Sequence, residues 1–126
     1  EKAKNPMGTD PRVREAFELS IDRDGLVQAM SKGQYTPGNQ WVSPSNAYYV
    51  KEMPVQKRDI AKAKALLAAA GQPHPVITLV TPTQSETMQF AQIIQAMTRE
   101  AGFDARYMKG GHAGWKAAGG PVQLQA

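Results

Sequence analysis

The chain contains no cysteine. That removes disulfide staples, thiolate zinc sites and cysteine nucleophiles from consideration. It fits an oxidising compartment without requiring one. Histidine is nearly as scarce: His74 sits between two prolines and His112 among glycines. Neither has a carboxylate or a second histidine at ligand spacing, so no metal site is predicted. No apolar run approaches the length that crosses a bilayer. No secretion signal is visible, and Glu1 is not an initiator methionine, so the sequence is expected to start inside a longer or processed polypeptide. Catalytic signatures are missing too. No G-x-S-x-G elbow surrounds Ser20, Ser31, Ser43, Ser45 or Ser85. No Walker-type loop and no G-x-G-x-x-G after a strand is present, and no pair of carboxylates flanks a pocket. The chain reads as non-enzymatic and without a cofactor.

What is present describes one small globular domain. A length of 126 residues and a hydrophobic content of 41% support a single core. The formal charge is +4, but the basic residues are scattered. The densest group, Lys57, Arg58, Lys62 and Lys64, is diluted by Asp59 and alanines. A nucleic-acid surface needs a basic stripe with interleaved aromatics; this group reads instead as the solvated face of a helix, and no nucleic-acid partner is expected.

The periodicity places the elements. Residues 1–9 are polar, end in turn formers and read as a weak strand or an arm. Asp10 is a good N-cap and Pro11 suits the first helical position, where its missing N–H costs nothing. Val13, Ala16, Phe17, Ser20 and Ile21 then mark one buried face of a helix over 11–21. Asp22 caps a second helix over 23–31, carrying Leu26, Val27 and Met30, and Lys32-Gly33 closes it with glycine at a left-handed cap. Residues 34–54 hold three prolines, two asparagines and a glycine, and are read as irregular. A structureless loop of this length inside a compact domain is uncommon and is often functional. Helix returns over 55–70 on the stripe Ile60, Ala63, Leu66, Leu67 and Ala70, and Gly71 stops it. Residues 76–80 are β-branched and read as a buried strand. Thr83 and Glu86 have capping-box spacing ahead of a long helix, about 84–101, with Phe90, Ile93, Ile94 and Met97 inward and Gly102 as its cap. Residues 104–109 alternate as a second strand. Together, strand, helix and strand predict a right-handed βαβ unit with parallel strands, and an α/β class.

Four segments, in this order, resemble the bacterial extracellular solute-binding proteins of family 5, the oligopeptide, dipeptide and nickel type. They are D-P-R-V-R-E-A-F-E-L-S-I-D-R at 10–23, G-Q-Y-T-P-G-N-Q-W-V-S-P at 33–44, R-D-I-A-K-A-K-A-L-L-A-A-A-G at 58–71 and Q-A-M-T-R-E-A-G-F-D at 95–104. The resemblance covers roughly residues 5–107. It implies part of the C-terminal lobe of a type II periplasmic-binding-protein fold, a helix pair plus a βαβ unit on a small sheet. It also implies a periplasmic location, a peptide or similar small solute as ligand, and an ABC permease as partner. In the family the chain continues past this point to an acidic W-x-x-D-x-D-P type motif that helps hold the ligand's charged amino end. Here Trp115 is followed by no acidic residue. Residues 110–120 carry five glycines and read as a flexible tail or a foreign sequence, giving a division into 1–109 and a tail 110–126.

Aromatics concentrate in the irregular stretch: Tyr35, Trp41, Tyr48 and Tyr49. Such residues combine contact area with polar handles and suit binding clefts. The family's T-P-A loop lies near the cleft, so the resemblance makes Tyr35, Thr36, Gln40 and Trp41 the candidate ligand-binding residues. The structural alternative is that Trp41 and one tyrosine pin the loop to the domain. Asp22 beside Arg23 is explained by capping alone. Two functional readings follow: part of a periplasmic receptor for peptides, or a truncated paralogue that self-associates through an exposed sheet edge or its tail.

Overall fold

The computed structural model describes residues 5–119. The first turn, α1 (Pro6–Thr9), is a helix where the polar composition suggested a strand or arm; Asn5 caps it by accepting from Gly8 N at 2.8 Å. Residues 1–4 of that arm lie outside the described residues. Helix α2 (Pro11–Ser20) begins as expected, with Asp10 Oδ1 accepting from Arg12 N at 2.9 Å. Its buried residues are Val13, Ala16, Leu19 and Ser20, so the inward face takes in Leu19 and leaves Phe17 and Ile21 at its margin. Helix α3 (Arg23–Ser31) is capped by Asp22, whose Oδ1 accepts from Gly25 N at 3.0 Å. It ends on two residues in the left-handed region, Lys32 (φ 52°) and Gly33 (φ 78°).

Helix α4 (Ile60–Ala69) starts five residues later than the sequence suggested. Asp59 supplies the cap, accepting from Lys62 N at 2.9 Å, and residues 55–59 stay non-helical. The apolar stripe misses this boundary because periodicity locates a face, while a cap locates an end. Two anchors hold the segment before the cap. Asp59 N donates to Leu19 O at 2.8 Å. Arg58 Nε donates to Ser20 O at 3.0 Å and Nη2 to Met97 O at 3.1 Å, with Glu100 Oε2 3.1 Å away. Arg58 is therefore a half-buried staple between α2 and α5 and does not belong to a solvated helix face.

Strands β1 (Val76–Thr81) and β2 (Asp104–Lys109) pair in parallel, with Val76 opposite Asp104 and Thr81 opposite Lys109. Helix α5 (Ser85–Ala101) makes the crossover. Its cap position is Gln84, with no side-chain bond; Thr87 Oγ1 instead donates back to Gln84 O at 2.8 Å, so the Thr83–Glu86 capping box does not form. Gly102 ends α5 at φ 117°, and a Cβ there would stand 2.5 Å from Pro73 O. Both the backbone angle and the close approach require glycine.

The core sits between α2, α4, α5 and one face of the sheet. Val13, Ala16, Leu19, Ala63, Leu67, Ile77, Ala101, Phe103 and Ala105 form one buried cluster. Phe17 meets Phe103 edge to face at 5.5 Å between ring centres. The alanines let α2 and α4 approach closely. Strand β1 is buried on this face alone: Ile77 and Thr81 point in, while Val76 and Val80 are exposed. The expectation of a fully buried strand is corrected, because the unbroken β-branched run hid a one-sided environment. Helix α6 (Gly111–Ala117) follows β2 and packs against the sheet. It forms where the glycine count suggested a flexible tail; Gly110 (φ 88°) and Gly119 (φ 76°) flank it as turn residues. Residues 120–126, including the P-V-Q-L-Q-A segment, and the side chain of His112 lie outside the described residues. Within those residues no helix is long and apolar enough to cross a membrane.

Candidate functional site

Between Lys32 and Asp59 the described chain has neither helix nor strand, as the proline and asparagine content predicted. Its backbone polar groups still need partners; short turns such as Asn46 N to Ser43 O (2.9 Å) and Met53 N to Val50 O (3.1 Å) supply some, and side chains supply others. Gln40 Nε2 donates to Val50 O at 2.9 Å and Met53 O at 3.0 Å, and Gln40 Oε1 accepts from Val50 N at 3.1 Å. Asn39 Nδ2 donates to Met53 O and Pro54 O, both at 3.1 Å. Asn46 Oδ1 accepts from Tyr48 N at 2.9 Å. The two limbs of the loop are thus cross-braced by amides in place of a ladder.

The aromatics are not what holds the loop. Trp41 is fully exposed, and Tyr35 (73%) and Tyr48 (85%) nearly so. Only Tyr49 is half-buried, its hydroxyl 3.4 Å from Asn39 Oδ1. The alternative in which Trp41 pins the loop is overturned; amide bracing has taken that role, leaving the indole in solvent. Of the four sequence candidates, Gln40 is committed to the loop's own backbone and Tyr35 and Trp41 stand exposed. Thr36 lines a groove together with Pro37 and Gly38.

That groove, about 340 Å³, lies where the start of the loop meets two helices. Helix α3 contributes Arg23, Leu26 and Val27, and α5 contributes Phe90 and Ile94. Phe90 was expected in the core and is instead 42% exposed on this wall. The helical period carries it onto the inward stripe, but α5 extends beyond the core at this end, so the ring has only the groove to face. Arg23 also lines an adjoining groove of about 460 Å³, with Asp22, Asp24, Lys57 and Arg58 around it. The Arg23 head group approaches Glu18 Oε1 at 3.3 Å through Nη2, while its buried Nη1 finds no acceptor among the described residues. The sequence hinted at Arg23 only through its neighbour, the capping Asp22.

Elsewhere, polar groups serve the fold. His74 Nδ1 lies 3.2 Å from Gly102 O, tying the turn before β1 to the end of α5. Among the described residues no group of three or more histidine, aspartate or glutamate side chains could hold a metal ion.

These elements make an α/β core with a long braced loop beside a groove. The family model "Bacterial extracellular solute-binding proteins, family 5 Middle" matches residues 2–120, and the chain belongs to that family. The match runs past residue 107, where the resemblance read from the sequence ended, and so takes in the glycine-rich stretch. The probable di/tripeptide-binding protein 5 of Pseudomonas aeruginosa (strain UCBPP-PA14) is 31% identical over 108 residues, covering 81% of this chain and 20% of that protein. The glutathione-binding protein GsiB of Salmonella choleraesuis (strain SC-B67) is 34% identical over 99 residues, 77% of this chain and 19% of that one. Among solved structures, an ABC transporter substrate-binding protein from Sinorhizobium meliloti superposes with a TM-score of 0.76 at 26% identity, covering 89% of this chain and 26% of that one. The chain thus spans about a fifth of the length of the curated relatives it matches.

Proposed function

We propose that this chain is part of a periplasmic receptor that binds short peptides or similar solutes, without catalysis, and passes them to an ABC permease. The observation that carries this reading is the continuous family match over residues 2–120. Relatives named for di/tripeptides and for glutathione, itself a tripeptide, favour a peptide-like solute. Tyr35, Thr36, Gln40 and Trp41 are the proposed ligand-facing set. In it Tyr35 and Trp41 supply contact surface, Thr36 supplies a hydroxyl at the groove, and Gln40 holds the loop's shape. Exposed aromatics on a braced loop lose little conformational entropy on contact, which favours binding. The test is titration with a mixed pool of short peptides, followed by tryptophan fluorescence. A saturable change that Trp41→Phe alters supports the reading. A folded chain that binds no peptide overturns it.

A second reading, self-association without solute binding, is favoured by one observation. The outer sheet face leaves Val76 and Val80 exposed, and a concavity of about 410 Å³ is lined by Thr78, Val80, Met108 and Trp115. Parallel sheets are ordinarily covered on both faces. Light scattering coupled to size exclusion distinguishes the two: a dimer indifferent to peptides supports self-association, and a monomer at high concentration removes it.

A further inference from the structure

Arg23 stands at the junction of the two grooves and lines both. In the groove it shares with Thr36 and Phe90, its guanidinium is the only charged group among the described lining residues. Its Nη1 is buried and has no acceptor there. A buried donor without a partner is costly, more so on a charged group. Among the described residues the head group's ion-pair partner is Glu18, which sits at 3.3 Å and is itself 43% exposed, so it is free to swing away. On the same groove a large ring, Phe90, remains 42% exposed, with Leu26, Val27 and Ile94 completing an apolar wall.

A fork of N–H donors beside an apolar wall is complementary to one chemical group: a carboxylate carried on a residue with an apolar side chain. The adjoining groove is less suited to a residue with an apolar side chain, because its lining is mostly polar and charged, with Asp22 and Asp24 set against Lys57 and Arg58. A volume of about 340 Å³ is at the small end of ligand pockets, roughly 300–1,000 Å³. It accommodates one residue and excludes a whole peptide. We infer that this groove is the subsite for the C-terminal residue of a short peptide. The free carboxylate replaces Glu18 on Arg23, and the apolar side chain lies against Phe90 and Ile94. The Arg23 side chain is 22% exposed, and Nη2, the arm that now meets Glu18, is the donor the carboxylate takes over.

This inference rests on the peptide-receptor reading and is tested separately from it. The probes are Gly-Gly-Phe with a free C-terminus and the same peptide as its C-terminal amide, titrated into the full chain and followed residue by residue by NMR. The free acid is expected to shift the amides of Arg23, Leu26, Val27 and Phe90 and to bind about ten- to a hundredfold more tightly than the amide, the worth of one charge-assisted hydrogen-bond pair. Arg23→Gln abolishes that ratio, Arg23→Lys retains part of it, and Phe90→Ala weakens acid and amide alike. Equal binding of acid and amide overturns the inference. So does binding that shifts only the loop around Trp41, an outcome that leaves the receptor reading standing. Absence of binding by either peptide and by the mixed pool, with a well-dispersed spectrum, overturns both.

Discussion

Residues 60–109 and residues 34–54 solve the same problem by different means. Both must give every backbone polar group a partner. The first does so through regular ladders, and pays the entropy of ordering with apolar burial around Leu67 and Phe103. The second has almost no buried apolar surface and relies on isolated turns and on the amides of Asn39, Gln40 and Asn46. Its large apolar groups, Trp41, Tyr35 and Tyr48, contribute little to folding because they stay in water. A segment whose aromatics are not used for stability has them available for contact.

The comparison breaks most sharply under truncation of one ring from each region. Phe103→Ala should destabilise by about 3–5 kcal/mol, since a fully buried phenyl is lost together with its edge-to-face partner Phe17. Trp41→Ala should change stability by less than about 0.5 kcal/mol. Urea unfolding followed by far-UV circular dichroism measures both. A Trp41 variant as damaging as the Phe103 variant would mean that the loop is part of the core after all.

Next in size is the joint between the regions. Arg58 is where the chain re-enters the core, bonding Ser20 O and Met97 O and pairing with Glu100. Arg58→Met removes these bonds and leaves two carbonyls to find water, at a cost of about 1–3 kcal/mol. Raising salt should weaken the Glu100 component only slightly, because the carbonyl bonds are short-range.

The sequence was legible where local chemistry decides. Asp10, Asp22, Gly71 and Gly102 announce helix ends, and the composition of 34–54 announces irregularity. The βαβ unit follows from period alone. What stayed hidden depended on contacts between distant residues. Arg58 looked like one of four scattered cations, because nothing near it in sequence shows that Ser20 and Met97 carbonyls converge on it. Phe90 looked inward because periodicity gives a face without giving the length of the core that face meets. Around the groove, Thr36 was named through the resemblance and lines it, whereas Arg23 was set aside as the neighbour of a cap. A cap explains an aspartate, but it leaves the following arginine without an account.

A smaller effect isolates the bracing itself. Gln40→Ala deletes three hydrogen bonds that join the limbs of the loop at Val50 and Met53. Each is solvent-exposed, so the net loss should be about 1 kcal/mol, and it should be local. Hydrogen exchange of the Val50 amide should speed up while amides in β1 and β2 keep their rates. Uniform acceleration across the chain would show that loop and core unfold as one unit.

The smallest expected effect concerns acid, and its sign can be worked out. The hydrogen bonds from Arg12 hold the Asp10 carboxyl below its ordinary range, and Arg106 does the same for Asp104. Carboxylates whose pKa is lowered by folding contribute stability above the unfolded value and lose it as pH falls through the folded one. Asp104 is exposed and Asp10 half-buried, and both pair with exposed arginines, so the contribution is modest. As pH falls below the ordinary aspartate range the melting temperature should fall, and Arg12→Gln should make that fall shallower by relaxing the shift on Asp10. Because Arg12 Nη1 also bonds Ala69 O at 2.7 Å, the variant starts from a lower melting temperature at neutral pH. The slope with pH, and not the starting value, therefore reports the ion pair. Asp10 caps α2 in the core region, so the acid transition should appear in the helical signal before exchange in the loop changes. Loop exchange that accelerates first would reverse the ordering of the two regions.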